Sequence, residues 1–220
     1  MSNDTTTSRC AICNNSRYNR HFFTKERLMD IGDEFEYFEC ARCGCVQIAH
    51  IPENIDKYYP DNYYSYETRQ KSGRFHAFVV RQIMRHHLGK FNLFGGLIYS
   101  LHKDKPYGWM KKGILDFDSS ILDVGCGSGA TILKMNCSGF KNVHGVDPFI
   151  EADIHYSKEV SVEKKNLSEL EGQYDFVMLH HSLEHMPDQY QALKDINKIL
   201  KPGHFALIRI PVSSSRNWRK

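Results

Sequence analysis

The sequence predicts an α/β fold, in which helices cover both faces of a doubly wound, mostly parallel sheet, preceded by a small cysteine-rich module. Two observations predict the sheet. From Ser120 onward, apolar runs typical of strands alternate with segments of helical spacing, and a glycine-rich loop from Gly125 to Gly129 follows the first buried run. The third observation is a set of two Cys-x-x-Cys pairs near the N-terminus, which indicates a separate metal-binding unit.

The composition fits one sizeable domain with a small accessory unit. The 220 residues are 41% hydrophobic, which suffices for a core, and the net charge of +3 is too small to indicate nucleic-acid binding. The N-terminus, MSNDTTTSRC, does not resemble a signal peptide, and no apolar run is long enough to span a membrane. We therefore expect a cytoplasmic protein without stable membrane insertion, divided into residues 1–56, 57–112 and 113–220.

Four cysteines in the first segment predict a structural zinc site. Cys10 and Cys13 form one chelating pair, Cys40 and Cys43 form the other, and two such turns complete a closed tetrahedral site of the zinc-ribbon kind. Because thiols stay reduced in the cytoplasm, disulfides are not expected. A thioredoxin-type redox pair and unliganded thiols are the alternatives, but neither pair is followed by the βαβ pattern of redox proteins. Cys45 is interpreted as a bystander.

A tyrosine-rich connector opens the second segment. Its tyrosines are either core and interface fillers or a lid that stacks on a sugar ring, because aromatic faces pack well on such rings. They are Tyr58, Tyr59, Tyr63, Tyr64 and Tyr66.

Apolar residues at helical spacing between Gly73 and Leu101 predict two helices, with breaks at Gly89 and at Gly95-Gly96. Their opposite face is basic. We interpret it as a solvated helix face, and contact with an anionic membrane or a phosphorylated substrate is the alternative. The basic residues are Arg74, Arg81, Arg85 and Lys90.

The third segment supplies the sheet and its covering helices. A glycine, Gly139, is the expected end of the first helix, and Lys201-Pro202-Gly203 ends the second. The predicted strands cover residues 120–124, 143–146, 158–163, 174–179 and 205–210, and the predicted helices cover residues 130–137 and 188–200.

The loop after the first of these strands, ILDVGCGSGAT, fits two ligand-binding templates. Gly125-x-Gly127-x-x-Ala130 matches a dinucleotide fingerprint, and Asp147 lies where a carboxylate accepts ribose hydroxyls in either template. Asp123 distinguishes them, because a carboxylate at the end of the strand repels a pyrophosphate and attracts a cationic ligand. The residues therefore favour the template for a cationic ligand. A nicotinamide-dependent oxidoreductase, which would bind a dinucleotide through the other template, is the disfavoured alternative.

Four motifs in order, LDVGCGSG, VHGVDPF, YDFVMLHHSLEHMPD and LKPGHFALIRIPV, resemble the class I S-adenosylmethionine (SAM)-dependent methyltransferases over about residues 119 to 212. The resemblance implies a Rossmann-like sheet and SAM as the cofactor. The cysteine pairs followed by YYPDNYY are similar to a smaller group of bacterial methyltransferases with an N-terminal zinc module. That group includes sugar C-methyltransferases and enzymes of surface-glycan clusters.

The resemblance also implies roles for individual residues. Those expected at the cofactor are Asp123, Gly125, Cys126, Gly127 and Gly129 for its methionine end, Asp147 for the ribose, Pro148, Asn166 and Leu167 for the adenine, and His180 beside the methionine. Asn166 stands where the family often has an acidic residue, and its carbonyl can accept the same hydrogen bond from the adenine amino group. The side chain of Cys126 is most simply interpreted as a small packing group.

The candidate catalytic residues lie at the expected carboxyl edge of the sheet, where open α/β folds bind ligands. When the methyl acceptor is a hydroxyl oxygen or an activated carbon atom, a base must remove its proton. His181, Glu184 and His185 are suited to that role. The alternative for Glu184 and His185 is a structural role in capping the next helix or ordering the SAM loop.

We expect methyl transfer from SAM to a small acceptor, a sugar or a nucleotide-sugar. A catalytically incomplete SAM-binding and zinc-ribbon interaction module is the alternative. In the family fold an antiparallel hairpin follows the fifth strand, and the sequence lacks it, so we expect a C-terminally truncated core with an exposed edge strand. The oligomeric state is left open.

Overall fold

A computed structural model describes residues 8–26, 32–58, 73–90, 92–101 and 115–212. The chain divides into two compact units, one of Met1–Tyr63 with Pro211–Lys220 and one of Tyr64–Ile210. The helices expected in the segment 57–112 thus share a unit with the sheet. Within the described ranges, no helix has the length and apolar character needed to cross a membrane.

The first unit is built on a three-stranded antiparallel sheet. Strands β1 (Arg20–Lys25), β2 (Glu34–Glu39) and β3 (Val46–Ile48) lie in the order β1-β2-β3. On β2, Phe38 is buried together with the side chains of Cys10 and Cys40. The small core of this unit therefore depends on the cysteines themselves.

Only the first of the predicted connector tyrosines is described. Tyr58 ends a 3-10 helix, Ile55–Tyr58, and its hydroxyl donates a hydrogen bond to Asp33, which also accepts one from Lys57. This contact ties the helix to the residue that precedes β2. The other tyrosines, Tyr59, Tyr63, Tyr64 and Tyr66, lie outside the described residues.

Two helices, α1 (Arg74–His87) and α2 (Leu93–Leu101), confirm the predicted helical pair. Gly89 follows α1 with a φ of 76°. The prediction that Gly95 and Gly96 break the helix is wrong, because both lie inside α2. The reason is packing between the helices: a Cβ on Gly95 would come within 2.2 Å of the carbonyl oxygen of Gln82, so glycine allows α2 to approach α1.

The second unit contains a six-stranded sheet in the order β6-β7-β5-β4-β8-β9. Its strands are β4 (Ser120–Val124), β5 (Asn142–Val146), β6 (Ile154–His155), β7 (Val160–Glu163), β8 (Tyr174–His180) and β9 (Leu200–Arg209). All neighbours are parallel except β6, which runs antiparallel to β7. The chain winds from β4 outward to β7 and then from β8 outward to β9. This confirms the predicted doubly wound, mostly parallel α/β sheet, whose direction reverses between β4 and β8.

Helices α3 (Ala130–Cys137) and α4 (Gln189–Ile199) confirm the two predicted helices and cover opposite faces of the sheet. Alternate residues of each strand face opposite sides. On one face, Ile121 packs with Ile132 of α3. On the other, Leu122 packs with Ile196 of α4. The two cores fix β4 and β8 at the centre of the unit.

Two details of the sheet differ from the prediction. The short strand β6 was not predicted, because two residues carry no periodic signal. The strand β9 begins at Leu200, directly after α4, and is irregular where Lys201-Pro202-Gly203 passes. Leu200 pairs with Tyr174, and pairing then resumes between Phe205 and Phe176.

Candidate functional site

The glycine-rich loop turns sharply from β4 into α3. Gly125, Gly127 and Gly129 have φ values of 72°, 56° and 83°, a region that residues with a Cβ rarely adopt. A Cβ on Gly125 would also lie 2.4 Å from the Cβ of Ser182, which follows β8. The glycines therefore allow the loop to lie directly against the end of β8, at the carboxyl edge where the chain direction reverses.

Asp147, at the end of β5, anchors this loop. Its Oδ2 accepts a hydrogen bond of 2.8 Å from the Gly127 N–H, and its Oδ1 accepts one of 2.9 Å from the Phe149 N–H. The Gly125 N–H donates a hydrogen bond to the carbonyl of Val146, the residue before Asp147. Each carboxylate oxygen can accept more than one hydrogen bond. The predicted ribose-binding carboxylate is therefore held rigidly and keeps acceptor capacity for a ligand.

Asp123 is a buried carboxylate with an unsatisfied oxygen. The side chain is 2% exposed, and within the described residues no donor reaches its Oδ1. Burial, and secondarily the charge of Asp147, raise the pKa of Asp123 to about 8. A carboxylate in this position is stabilised by a cation or a hydrogen-bond donor that a ligand brings.

The end of β8 contacts the glycine-rich loop. Ser182 Oγ donates a buried hydrogen bond of 2.7 Å to the carbonyl of Val124, which joins the ends of β8 and β4. His181 has a φ of 57°, a strained value for a residue with a side chain. Before it, half-buried His180 has its pKa lowered to about 4 by burial and by the positive charges of Arg209 and His181, so its imidazole is neutral at pH 7.

The three candidate catalytic side chains lie on one short stretch after β8. Glu184 and His185 belong to a 3-10 helix, Leu183–His185. The Glu184 Oε1 atom lies 3.5 Å from His181 Nδ1, whereas its Oε2 atom is buried and finds no donor among the described residues. The structure thus brings His181 and Glu184 together beside the glycine loop, with a second acidic oxygen open to a donor.

Of the residues expected around the adenine, Asn166 is exposed, and Pro148 and Leu167 are half-buried. Pro148 follows Asp147, and the next side chain, Phe149, is 78% exposed. Asn166 is exposed, and both its backbone N–H and its Nδ2 donate to Glu169. Leu167 is half-buried and packs on the α4 side of the sheet. The amide of Asn166 is therefore oriented by Glu169, which sequence reasoning did not single out.

Cys126 packs its thiol under the loop. A Cβ on Gly145 of β5 would lie 2.4 Å from the Cys126 Sγ, so the thiol occupies the space that this glycine leaves. Burial, followed by the charges of Asp123 and Asp147, raises the pKa of the thiol. Cys126 is thus an uncharged packing group between the loop and the sheet.

Two positioning contacts escaped sequence reasoning. Ser182 binds Val124, and Tyr156 donates its hydroxyl hydrogen to the carbonyl of Ser128 in the loop. For the contact between Ser182 and Val124, the sequence offered only one local signal, a small residue directly after His181. Neither contact could be inferred without the pairing of distant strands.

The first unit brings together the four predicted zinc ligands. After each Cys-x-x-Cys pair the next residue, Asn14 or Gly44, has a positive φ, and its N–H donates to the carbonyl of the first cysteine of its pair. Cys10 and Cys40 also donate their N–H groups to the residues five positions later, at 2.9 Å in both turns. Each pair therefore forms the same tight turn, and the two turns face one another.

The geometry of the four sulfurs fits a tetrahedral metal. The four Sγ atoms all lie within 4.8 Å of one another, with 3.7 Å between Cys10 and Cys43 and 3.5 Å between Cys13 and Cys40. Zinc bonds of about 2.3 Å place tetrahedral thiolates about 3.8 Å apart.

The pKa values of the four thiols differ in direction. Burial alone raises the pKa of Cys40, but N–H groups of Cys43 and Arg42 outweigh it and lower that pKa to about 6, and the pKa of Cys10 is lowered in the same way by N–H groups of its own turn. In Cys13 and Cys43 an N–H group also lowers the pKa, but burial and the neighbouring sulfurs outweigh it and raise the pKa.

Comparison with known proteins identifies related chains. A family model described as a methyltransferase domain matches residues 102–220. A ubiquinone biosynthesis O-methyltransferase of Pseudomonas savastanoi is 31% identical over 116 residues, which is 47% of this chain and 50% of that protein. The human EEF1A lysine methyltransferase 2 is 29% identical, over 51% of this chain and 53% of its own length.

Two further similarities were found. A demethylmenaquinone methyltransferase of Staphylococcus saprophyticus is 29% identical over 56% of this chain and 58% of its own. A solved S-adenosylmethionine-dependent methyltransferase from Mesorhizobium loti matches with a TM-score of 0.37 and 19% identity, over 41% of this chain and 46% of that one. The chain spans about half the length of the curated relatives it matches.

Proposed function

This chain belongs to the methyltransferase domain family, and on that premise we propose that it transfers a methyl group from SAM to a small acceptor. The observation that carries the proposal is the buried Asp123 with its unsatisfied Oδ1. The methionine end of SAM brings an ammonium and a sulfonium, and either charge stabilises a carboxylate at this edge. A pyrophosphate would place like charges beside it.

The residues around the glycine-rich loop support a division of roles. Asp123 and the backbone of the glycine loop would hold the methionine end, and Asp147 would accept the ribose hydroxyls. Methyl transfer is an in-line displacement at the sulfonium methyl, so rigid positioning supplies much of the rate. The Ser182 contact with Val124 and the anchoring of the loop by Asp147 support such rigidity.

Acceptor activation is assigned to the stretch after β8. His181 and Glu184 are close enough to act as a pair, in which the carboxylate orients the imidazole that takes the acceptor proton. His185 follows on the same 3-10 helix and is the second candidate base. A proton acceptor is needed only if the acceptor atom carries a proton at the operating pH.

A sugar or nucleotide-sugar remains our proposal for the acceptor, and it rests on the resemblance of the N-terminal module alone. The relatives are named for ubiquinone biosynthesis, for demethylmenaquinone and for a lysine of EEF1A, so they do not favour one acceptor class. Screening small hydroxylated acceptors for SAM-dependent formation of S-adenosylhomocysteine tests this part. Turnover of quinols or of protein lysine alone would contradict it.

We assign the four-cysteine site to one structural zinc ion, held by Cys10, Cys13, Cys40 and Cys43. All four positions of the tetrahedron are taken by thiolates, which leaves no position for a substrate. The zinc would therefore support the fold of the first unit and take no part in methyl transfer.

Calorimetric titration with SAM and with NAD tests the cofactor proposal. We expect the full chain to bind SAM and not NAD. The Asp123→Asn variant should bind SAM about tenfold to a hundredfold more weakly, because a charged partner of the ligand is lost. Asp118→Asn, an exposed aspartate paired with Lys141, is the matched control and should bind like the wild type. NAD binding without SAM binding would refute the proposal.

The protons released when SAM binds provide a second measurement for this test. A bound cation lowers the pKa of Asp123 from about 8, so SAM binding near pH 7.5 releases most, but not all, of one proton per chain. The heat of binding should then depend on the ionisation enthalpy of the buffer for the wild type and for Asp118→Asn. It should lose most of that dependence in Asp123→Asn. SAM binding without turnover of any acceptor would favour the alternative of a SAM-binding module without catalysis.

A further inference from the structure

The helical hairpin, residues 73–101 with α1 and α2, has an unusual charge composition. It contains four lysine or arginine residues and three histidines but no aspartate or glutamate, although the whole chain carries 26 acidic residues. Its second helix, LFGGLIYSL, has no charged residue at all. The hairpin is therefore a concentrated source of positive charge in a chain whose net charge is only +3.

The hairpin belongs to the second unit, and several of its large apolar side chains are exposed to solvent. Five of them are each more than half exposed to solvent. They are Phe75, Phe78, Leu93, Phe94 and Leu97. Single exposed apolar residues are ordinary, but five on two adjoining short helices are more than scattered exposure accounts for, and exposed apolar groups in such number mark interaction surfaces. We call these five residues the apolar patch.

Cationic side chains accompany the apolar patch. Arg81, Arg85 and Lys90 are exposed. Within the described ranges, no carboxylate lies within ion-pair distance of any of the three, and Lys90 stacks its ammonium over Phe117 instead. Their charge is thus available to a partner that carries negative charge.

We propose that this hairpin docks the protein on an anionic lipid bilayer, with the apolar patch in the interfacial region and the basic side chains at the lipid phosphates. Phe and Leu on one part of an amphipathic surface and Arg and Lys on another part are the combination that such interfaces take up. With nine residues, α2 is about 14 Å long, too short to span the hydrocarbon core of about 30 Å. The hairpin therefore lies in the interface plane, and binding is reversible.

Other occupants fit the hairpin less well. A second copy of the chain in a two-fold dimer would bring two acid-free, basic hairpins together, and their like charges repel. A nucleic acid would satisfy the basic groups and stack on the phenylalanines, but it would leave Leu93 and Leu97 without an apolar surface. The lipid interface accommodates both classes of side chain. The proposal does not depend on which acceptor the protein methylates.

Flotation of the full chain with lipid vesicles tests the proposal. We expect at least tenfold stronger binding to phosphatidylcholine vesicles containing about 30% phosphatidylglycerol than to pure phosphatidylcholine, with release in high salt. Phe75→Ser combined with Leu97→Ser should weaken binding about tenfold or more. Arg85→Ser combined with Lys90→Ser should weaken binding to the anionic vesicles only.

Tyr190→Ser is the matched control, because Tyr190 is an exposed aromatic residue of α4 outside the hairpin, and its vesicle binding should equal that of the wild type. Circular dichroism and SAM binding verify that each variant is folded. Failure of the wild type to bind anionic vesicles would overturn the proposal. So would equal binding by the hairpin variants and the control, a stable dimer that only the Phe75/Leu97 variant dissociates, or RNA binding that abolishes vesicle binding.

Discussion

At the scale of single residues, Asp123 combines a binding role with a cost in stability. Its carboxylate is fully buried beside Asp147, and no described group donates to its Oδ1. The pKa of about 8 means that the ligand-free folded state holds a proton there which the unfolded chain releases near pH 4. Such a group stabilises the folded protein in acid, and that stabilisation is lost progressively as the pH rises from the unfolded pKa near 4 to the folded pKa of about 8.

Replacement of this residue should therefore change how stability depends on pH. We expect the melting temperature of Asp123→Asn to exceed that of the wild type by an amount that grows by about 4 °C or more between pH 5 and pH 8, without SAM. Thermal unfolding at pH 5, 6.5 and 8 measures the difference. Asp118→Asn should show no such widening, because its neighbour Lys141 lowers the pKa of Asp118. A constant difference between pH 5 and pH 8 would contradict the expectation.

The sequence located the residues of the site whose signal is local, and the structure adds those whose signal is not. Asp123 and the three glycines are recognisable because they lie within seven residues of one another after an apolar run. Ser182 has its partner, Val124, 58 positions away, and becomes adjacent only when β8 pairs with β4. The predicted roles of individual residues in binding and catalysis stay predictions until the variants are measured.

At the scale of secondary-structure elements, the strands and helices of the sheet were predictable because their apolar runs are strong. The strand β4 and the helix α3 begin and end at the predicted residues. The exception is α2, where Gly95 and Gly96 indicated a break. Local propensity disfavours glycine in a helix, but contact with α1 overrides that preference, and no sequence window contains the contact.

The two adjacent glycines provide a direct test of this explanation. Gly95→Ala should lower the melting temperature of the second unit by about 3–8 °C, because its Cβ would meet the backbone of Gln82. Gly96→Ala is the matched control. Its Cβ would meet only the movable ring of His86 at 3.1 Å, and alanine favours the helix, so we expect a change of less than about 2 °C. Thermal unfolding followed by circular dichroism measures both, and equal effects of the two substitutions would contradict the packing argument.

At the scale of the whole molecule, the chain divides into two units with different sources of stability. The second unit has an apolar core on each face of its sheet. The first has a described core of only Cys10, Phe38 and Cys40 with three partly buried neighbours. A core of that size is insufficient for a stable fold without a disulfide or metal cross-link, and the proposed zinc with its four thiolates would supply that cross-link.

Metal removal should therefore affect the units unequally. We expect about one zinc per chain, and chelation or Cys43→Ser should unfold the first unit, seen as loss of amide-exchange protection in residues 20–48. The sheet unit keeps its own cores, so its amide protection and SAM binding should change less than about twofold. Cys45→Ser is the matched control, because Cys45 packs beside the four ligands without belonging to them, and it should retain the zinc. Protected strands β1 to β3 in metal-free protein, or zinc loss in Cys45→Ser as complete as in Cys43→Ser, would show that the four-thiolate site does not hold this unit together.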